Sequence, residues 1–212
     1  MGYFLGSDIG TTGVKTVLCD DDGQVVATTS AEHECHTPRP LWSEEDPADW
    51  WAGTCRSART ALEEAGVDGN EVDGIGLSGQ MHGLVMLDEN DEVIRPAILW
   101  NDQRTGEECR DITSAVGEDR LMELACNPAL TGFTAPKILW VRKNEPENYE
   151  RCRRILLPKD YVRFRMSGEY ATDVSDASGM LLLNVPERAW SADILDALDI
   201  DDELLPRCYE SP

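Results

Sequence analysis

Asp8-Ile9-Gly10-Thr11-Thr12-Gly13-Val14-Lys15 spans a glycine- and threonine-rich turn near the start of the chain. Apolar segments flank the turn, Tyr3–Ile9 before it and Val14–Cys19 after it, and both predict β-strands. A third strand is predicted at Val25–Glu34, beyond the turn Asp20-Asp21-Asp22-Gly23. Strands joined by turns this short pair antiparallel, so the chain is expected to begin with a three-stranded antiparallel meander.

The first turn has the residue types of a phosphate site. Successive backbone N–H groups and the hydroxyls of Thr11 and Thr12 suit phosphate oxygens. Asp8, at the end of the first strand, suits Mg²⁺, either directly or through water. The spacing differs from the GxxxxGK[ST] motif of P-loop enzymes. The alternative is an ordinary hairpin turn in which Asp8 is only solvated.

Alternating helical and strand patterns follow the meander. Asp46-Pro47 predicts a helix start, and Val72–Leu77 predicts a buried strand. This order predicts an α/β domain with a mixed sheet flanked by helices. The later predicted helices are Asp102–Val116, Glu118–Ala125, Pro136–Lys143, Pro146–Arg151, Lys159–Met166 and Ser191–Leu198.

Two further loops carry candidate site residues. Gln80 and His82 follow the strand Val72–Leu77 at its carboxyl end, where α/β sheets usually bind ligands, and they suit a polyol. The ring of Trp100, on the second loop, can form one wall of a sugar pocket. The alternatives are a structural histidine, a tryptophan in the core, and Asp102 acting only as a helix cap.

The composition excludes several classes of function. The net charge is −22, with 41 acidic residues against 19 basic ones, so binding to nucleic acid or to anionic lipid is not expected. Only four of the basic residues are lysine, and the acid excess is spread along the chain. This pattern favours a protein of a high-salt cytoplasm over an ordinary acidic protein.

The cysteines predict a reducing environment. Seven cysteines without a CxxC pair indicate free thiols, and no signal peptide or membrane-length apolar run is seen. A cytoplasmic protein with no membrane partner is therefore expected.

Seven motifs follow one another along the chain: Asp8–Lys15, Pro40–Glu44, Gly79–Gly83, Arg95–Asp102, Gly132–Lys137, Leu156–Tyr161 and Ser175–Ala177. In this order they resemble the amino-terminal half of the FGGY family of carbohydrate kinases, and within it the kinases of xylulose. The resemblance implies a ribonuclease-H-like domain of the actin type and ATP-dependent conversion of D-xylulose, or a similar ketose, to its 5-phosphate.

The resemblance also implies roles for individual residues. Asp8 is expected to act with Mg²⁺ as the catalytic and metal-binding carboxylate, close to the phosphates of ATP. The other residues implied at the nucleotide phosphates are Thr11, Thr12 and Lys15. The residues implied at the sugar are Met81, through its backbone, and His82. The further candidates for contact with the sugar are Gln80, Trp100, Asn101 and Asp102.

The family's catalytic base, an Asp in a Gly-Gly-Asp-Asn segment, is expected beyond Pro212, as is a carboxy-terminal nucleotide domain. Residues 1–212 are thus expected to form an incomplete amino-terminal kinase domain that is inactive alone. A homodimer is a further expectation. The alternatives are a kinase of ribulose, fuculose or gluconate, and a non-catalytic sugar-binding module of the actin-like superfamily.

Overall fold

The computed structural model describes residues 2–211. The chain begins with β1 (Tyr3–Ile9), β2 (Gly13–Asp20) and β3 (Val25–Glu32). β1 pairs antiparallel with β2, and β2 pairs antiparallel with β3. The short turns between these strands therefore have the topology that their length requires. The third strand ends two residues before the predicted Glu34.

The next elements complete the main sheet. They are β4 (Glu44–Glu45), α1 (Pro47–Ala65) and β5 (Val72–Gly79). The carboxylate of Asp46 accepts a hydrogen bond from the backbone N–H of Ala48, which explains why the helix begins there. β5 pairs parallel with β1, so the sheet has the order β3-β2-β1-β5 and is mixed.

Short strands and helices make up the rest of the chain. Two of its hydrophobic clusters are the largest: one includes Ile112, Ile138 and Ile194, and the other packs Trp50 with Ile9 and Val14 of the main sheet. Within residues 2–211, no helix is long and apolar enough to cross a membrane. The remaining elements are β6 (Val85–Leu87), β7 (Ala97–Ile98), α2 (Gly106–Val116), α3 (Glu118–Leu124), α4 (Thr134–Asn144), α5 (Pro146–Arg151), β8 (Arg154–Leu156), α6 (Pro158–Ser167), β9 (Ala171–Asp173), α7 (Val174–Ser178), β10 (Leu183–Asn184), β11 (Ala189–Trp190), α8 (Ala192–Leu198) and β12 (Arg207–Tyr209).

The helix predicted from Asp102 begins four residues later, at Gly106. Asp102 forms a turn before the helix instead, because its carboxylate accepts from the backbone N–H of Arg104 at 2.8 Å and from that of Ser43 at 2.7 Å. The alternative in which Asp102 only caps this helix is wrong: its oxygens bind Ser43 and Arg104, and the residue before the helix is Thr105.

Candidate active site

The parallel pairing of β1 and β5 places two of the candidate loops side by side. Ile9 lies opposite Gly79 in the register, so both strands end at the same edge of the sheet. The backbone N–H of Gln80 then donates to the carbonyl of Ile9 at 2.7 Å. The turn at residues 10–13 and the loop at residues 80–83 are therefore neighbours.

A chain of hydrogen bonds joins these loops to the third candidate segment. The indole N–H of Trp100 donates to the hydroxyl of Thr11 at 3.0 Å. The Thr11 hydroxyl donates to Oε1 of Gln80 at 3.3 Å. The Trp100 side chain is still 38% exposed, so one face remains available to a ligand. The structure thus brings all three segments together.

Glu45 binds the Gln80 end of this hydrogen-bond chain. Its sequence context did not mark it as a candidate site residue. Its fully buried carboxylate accepts from Nε2 of Gln80 at 2.7 Å and from Nε1 of Trp50 at 2.6 Å, both through Oε2. Burial raises the pKa of this carboxyl. His33 is also buried, with Nδ1 4.0 Å from Glu45. Glu45 orients the Gln80 amide because Gln80 must direct its N–H to this carboxylate.

Asp8 and Lys15 lie on the sheet face opposite α1. They are cross-strand partners, and Ser78 lies on the other side of Asp8. Both charged side chains are exposed. Among residues 2–211, Asp8 has no hydrogen bond or ion pair from its carboxylate, so both oxygens are free to bind a ligand. Such an open carboxylate fits Mg²⁺, which keeps several waters and takes few protein ligands.

Packing between strands also requires glycine at position 13 of the first turn. A Cβ on Gly13 would lie 2.8 Å from the carbonyl oxygen of Ala31. Glycine is required there by the close approach of β2 to β3, whether or not a ligand binds. Thr12 is exposed on the same turn, whereas Thr11 is half-buried by its contacts with the other loops.

His82 borders a cavity of about 580 Å³ whose lining also includes Met81, Phe133 and Lys159. Its imidazole packs edge-on against the ring of Phe133, with the ring centroids 5.0 Å apart. Burial, and after it the charge of Lys137, lower the pKa of His82 to about 4. The ring is therefore neutral at pH 7 and can both donate and accept one hydrogen bond. Met81, 45% exposed, lies beside it.

Asp102 takes a different place from the one expected. It is fully buried, and both carboxylate oxygens bind the Arg104 guanidinium at 2.7 to 3.0 Å. Arg104 also donates to Glu44 at 2.7 Å and stacks on the ring of Trp42. Asp102 therefore supports the loop that carries Trp100, and a direct bond from Asp102 to a sugar is not available in this arrangement.

An acidic cluster borders the same cavity, whose lining includes Asp173 and Asp176. Asp160, Asp173 and Asp176 have carboxylate oxygens within 4.8 Å of one another. The ammonium group of Lys159 lies among them, 3.1 Å from Asp176 and 3.6 Å from Asp160, and it also pairs with Asp173. Burial opposes the charge of Lys159, but the three carboxylates raise its pKa above the usual value. The lysine supplies the cation that this cluster needs.

Comparisons with known proteins identify the family of the chain. Residues 3–212 match the N-terminal domain of the FGGY family of carbohydrate kinases. The chain is 45% identical over its full length to a xylulose kinase of Lactococcus lactis subsp. lactis (strain IL1403) and covers 42% of that protein.

Two solved structures from Lactobacillus acidophilus have the same fold. A ligand-bound xylulose kinase matches 99% of the chain, and a gluconate kinase matches 98%. Each has a TM-score of 0.91 at 27% identity, and the match spans 42% of each structure. The chain therefore spans about two fifths of the length of these relatives. Its sequence and its fold together show that the chain belongs to the FGGY family of carbohydrate kinases, as an N-terminal domain.

Proposed function

We propose that the whole protein is an ATP-dependent xylulose kinase. This chain is proposed to supply its sugar loop, at residues 80–83, and its phosphate turn, at residues 10–13. The observation that carries the proposal is the hydrogen-bond chain from Trp100 through Thr11 to Gln80. Through the single side chain of Thr11, it joins the loop proposed to bind sugar to the turn proposed to bind phosphate. Phosphoryl transfer to a sugar needs the sugar site and the phosphate site side by side, because catalysis of this kind rests mainly on positioning the reactants.

The sugar is proposed to bind in the cavity beside His82. The neutral imidazole can bond one sugar oxygen, and the exposed Met81 can present its backbone to another. Trp100 and Asn101 are exposed on the neighbouring loop and are proposed to contact the sugar there. Gln80 and Asp102 are proposed to act as supports, since their polar atoms bind protein groups.

The phosphates of ATP are proposed to lie over the first turn. Thr12 offers an exposed hydroxyl there, Lys15 offers a positive charge, and the turn is proposed to offer its backbone N–H groups, since the Thr11 hydroxyl already donates to Gln80. Asp8 would hold Mg²⁺, directly or through water, because its carboxylate is exposed and unpaired within residues 2–211. When bound, Mg²⁺ neutralises charge on the phosphate groups.

The rest of the active site is proposed to come from another part of the protein. A carboxylate base there would take the proton of the terminal sugar hydroxyl, whose oxygen attacks the γ-phosphorus while ADP leaves. Such an active site, formed by two parts of one protein, is consistent with the finding that the chain covers only 42% of the length of the Lactococcus lactis kinase. Seven cysteines without a disulfide suit work in the reducing cytoplasm.

The test is a kinase assay on the whole protein with xylulose, ribulose, fuculose and gluconate. The highest kcat/KM is expected with D-xylulose, and a higher value with gluconate would replace the proposed substrate. Asp8→Asn is expected to lower kcat at least 100-fold with little change in the KM for sugar. The matched control is Asp73→Asn, an exposed carboxylate at the other end of the sheet. Equal kcat values for the two variants would overturn the role of Asp8.

A further inference from the structure

Lys137 is a fully buried lysine on α4 that has no carboxylate partner within ion-pair distance among residues 2–211. Its Nζ donates to two backbone carbonyls instead, that of His82 at 2.7 Å and that of Gly132 at 2.6 Å. The two bonds join the sugar loop to the segment that enters α4.

Burying an amine without a counter-ion is unfavourable. Burial lowers the pKa of Lys137 to about 7, and the nearby charges of Asp102 and Arg104 act in opposite directions. An apolar side chain of the same length would avoid this cost. What the lysine provides in return is hydrogen bonding to the two carbonyls.

The carbonyl of His82 belongs to a residue whose backbone needs support. His82 has a φ of 62°, in the left-handed region that residues other than glycine rarely adopt. The same carbonyl also accepts from the hydroxyl of Thr134 at 3.1 Å. Gly132 directly precedes Phe133, whose ring packs against the imidazole. Lys137 therefore fixes both the backbone of His82 and the position of the ring that supports its side chain.

We propose that Lys137 is a positioning residue for sugar recognition, which holds His82 in its left-handed conformation so that the imidazole borders the cavity. The proposal rests on the proposed function for its link to sugar, whereas the positioning itself can be measured without catalysis. Lys137 touches no atom that would react, so its effect is transmitted through His82.

Steady-state kinetics of the whole protein test the link to sugar. Lys137→Met is expected to raise the KM for D-xylulose at least tenfold while the KM for ATP changes less than twofold. Thr134→Val removes the longer bond to the same carbonyl and is expected to change the xylulose KM in the same direction, by a smaller factor. The matched control is Lys143→Met, on the exposed side of the same helix, where the lysine pairs with Glu107. An equal rise in both KM values would indicate a general structural role and overturn the proposal.

NMR of the imidazole groups tests positioning without activity. This chain contributes three histidines, His33, His36 and His82, to the whole protein. The imidazole signal that disappears from the spectrum of the whole protein in His82→Ala is that of His82. Lys137→Met is expected to move that signal while those of His33 and His36 stay in place. If Lys137→Met does not fold, Thr134→Val decides by the same measurement. An unmoved His82 signal in a folded variant overturns the proposal. A moved signal in a protein that phosphorylates no sugar supports positioning and overturns the proposed function.

Discussion

The indole N–H of Trp100 donates a hydrogen bond to the hydroxyl of Thr11, which lies 89 residues earlier in the chain and 3.0 Å away. The same hydroxyl reaches Gln80 at 3.3 Å. A ligand that moves Trp100 or Gln80 therefore acts on the turn proposed to bind phosphate. The contact couples the two halves of the candidate site through one side chain.

Replacing Thr11 tests this coupling. Thr11→Val keeps the side-chain volume but removes the acceptor for Trp100 and the donor to Gln80. Each lost bond contributes about 0.5–1.5 kcal/mol, so kcat/KM of the whole protein for the sugar is expected to fall roughly tenfold. Thr11→Ser retains the hydroxyl and serves as the control. If the valine and serine variants are equally active, the contact has no functional role.

Glu45 is expected to contribute to stability through its two buried donors, Gln80 and Trp50. Glu45→Leu leaves both unpaired and is expected to lower the free energy of unfolding by about 2–6 kcal/mol in urea titrations. Glu45→Gln keeps an acceptor oxygen in the same place and should be much milder. Equal losses in the two variants would show that shape, rather than hydrogen bonding, explains the effect.

The raised pKa of Glu45 also predicts a pH dependence. The folded state holds the proton more tightly than the unfolded state, so stability is highest below the ordinary value of 4.5 and falls as pH rises through the raised pKa. Glu45→Gln has no such proton. Its stability relative to the unchanged protein is therefore expected to improve as pH rises from 4.5 to 7 in urea unfolding. A constant difference across this range would contradict the raised pKa.

Gly179 is expected to tolerate no side chain, because a Cβ there would lie 2.2 Å from the imidazole of His82. Gly179→Ala should push the ring from its place against Phe133 and raise the KM for sugar several-fold in the whole protein. Gly106→Ala is the matched control, since a Cβ at Gly106 has open space around it. Unchanged kinetics in Gly179→Ala would show that the ring position does not matter for sugar binding.

His82 predicts a second pH dependence, of the opposite sign. Its pKa in the folded state is about 4, below the ordinary 6.5, so the unfolded state binds the proton more readily. The stability that comes from keeping His82 neutral is complete above pH 6.5 and is lost as pH falls towards 4. His82→Asn, a residue that tolerates positive φ, should show a smaller loss over this range in chemical denaturation. A loss as large as that of the unchanged protein would contradict this effect.

The charge of −22 predicts dependence on salt. Repulsion among exposed carboxylates acts over short distances in molar salt, where the screening length is about 3 Å, and over longer distances in dilute buffer. Circular dichroism is expected to show loss of helix signal on dialysis from molar to millimolar potassium chloride. Full folding in the dilute buffer would favour an ordinary acidic protein.

Local chemistry determined much of the fold from the sequence alone. Turns of a few residues force neighbouring strands to pair antiparallel, so the meander could be predicted from spacing. Asp46 and Pro47 act on the first turn of a helix, so its start could be predicted as well. The position of Gln80 and His82 at the carboxyl end of a strand likewise needed only the order of the elements. The burial of that strand was predicted wrongly: β5 is an edge strand of the main sheet, and Ile75 is 54% exposed.

The tertiary structure alone decided the contacts between distant residues. The ion pair of Asp102 is with Arg104, two residues away, but a further donor to its carboxylate is the backbone N–H of Ser43, 59 residues earlier. Glu45 and Lys137 have no local pattern that marks them. Burial defines the environment of each, and one partner of each is distant: Gln80 is 35 residues from Glu45, and His82 is 55 residues from Lys137. Propensity and turn length act within a few residues, whereas burial and its pKa shifts exist only after separate segments have packed together.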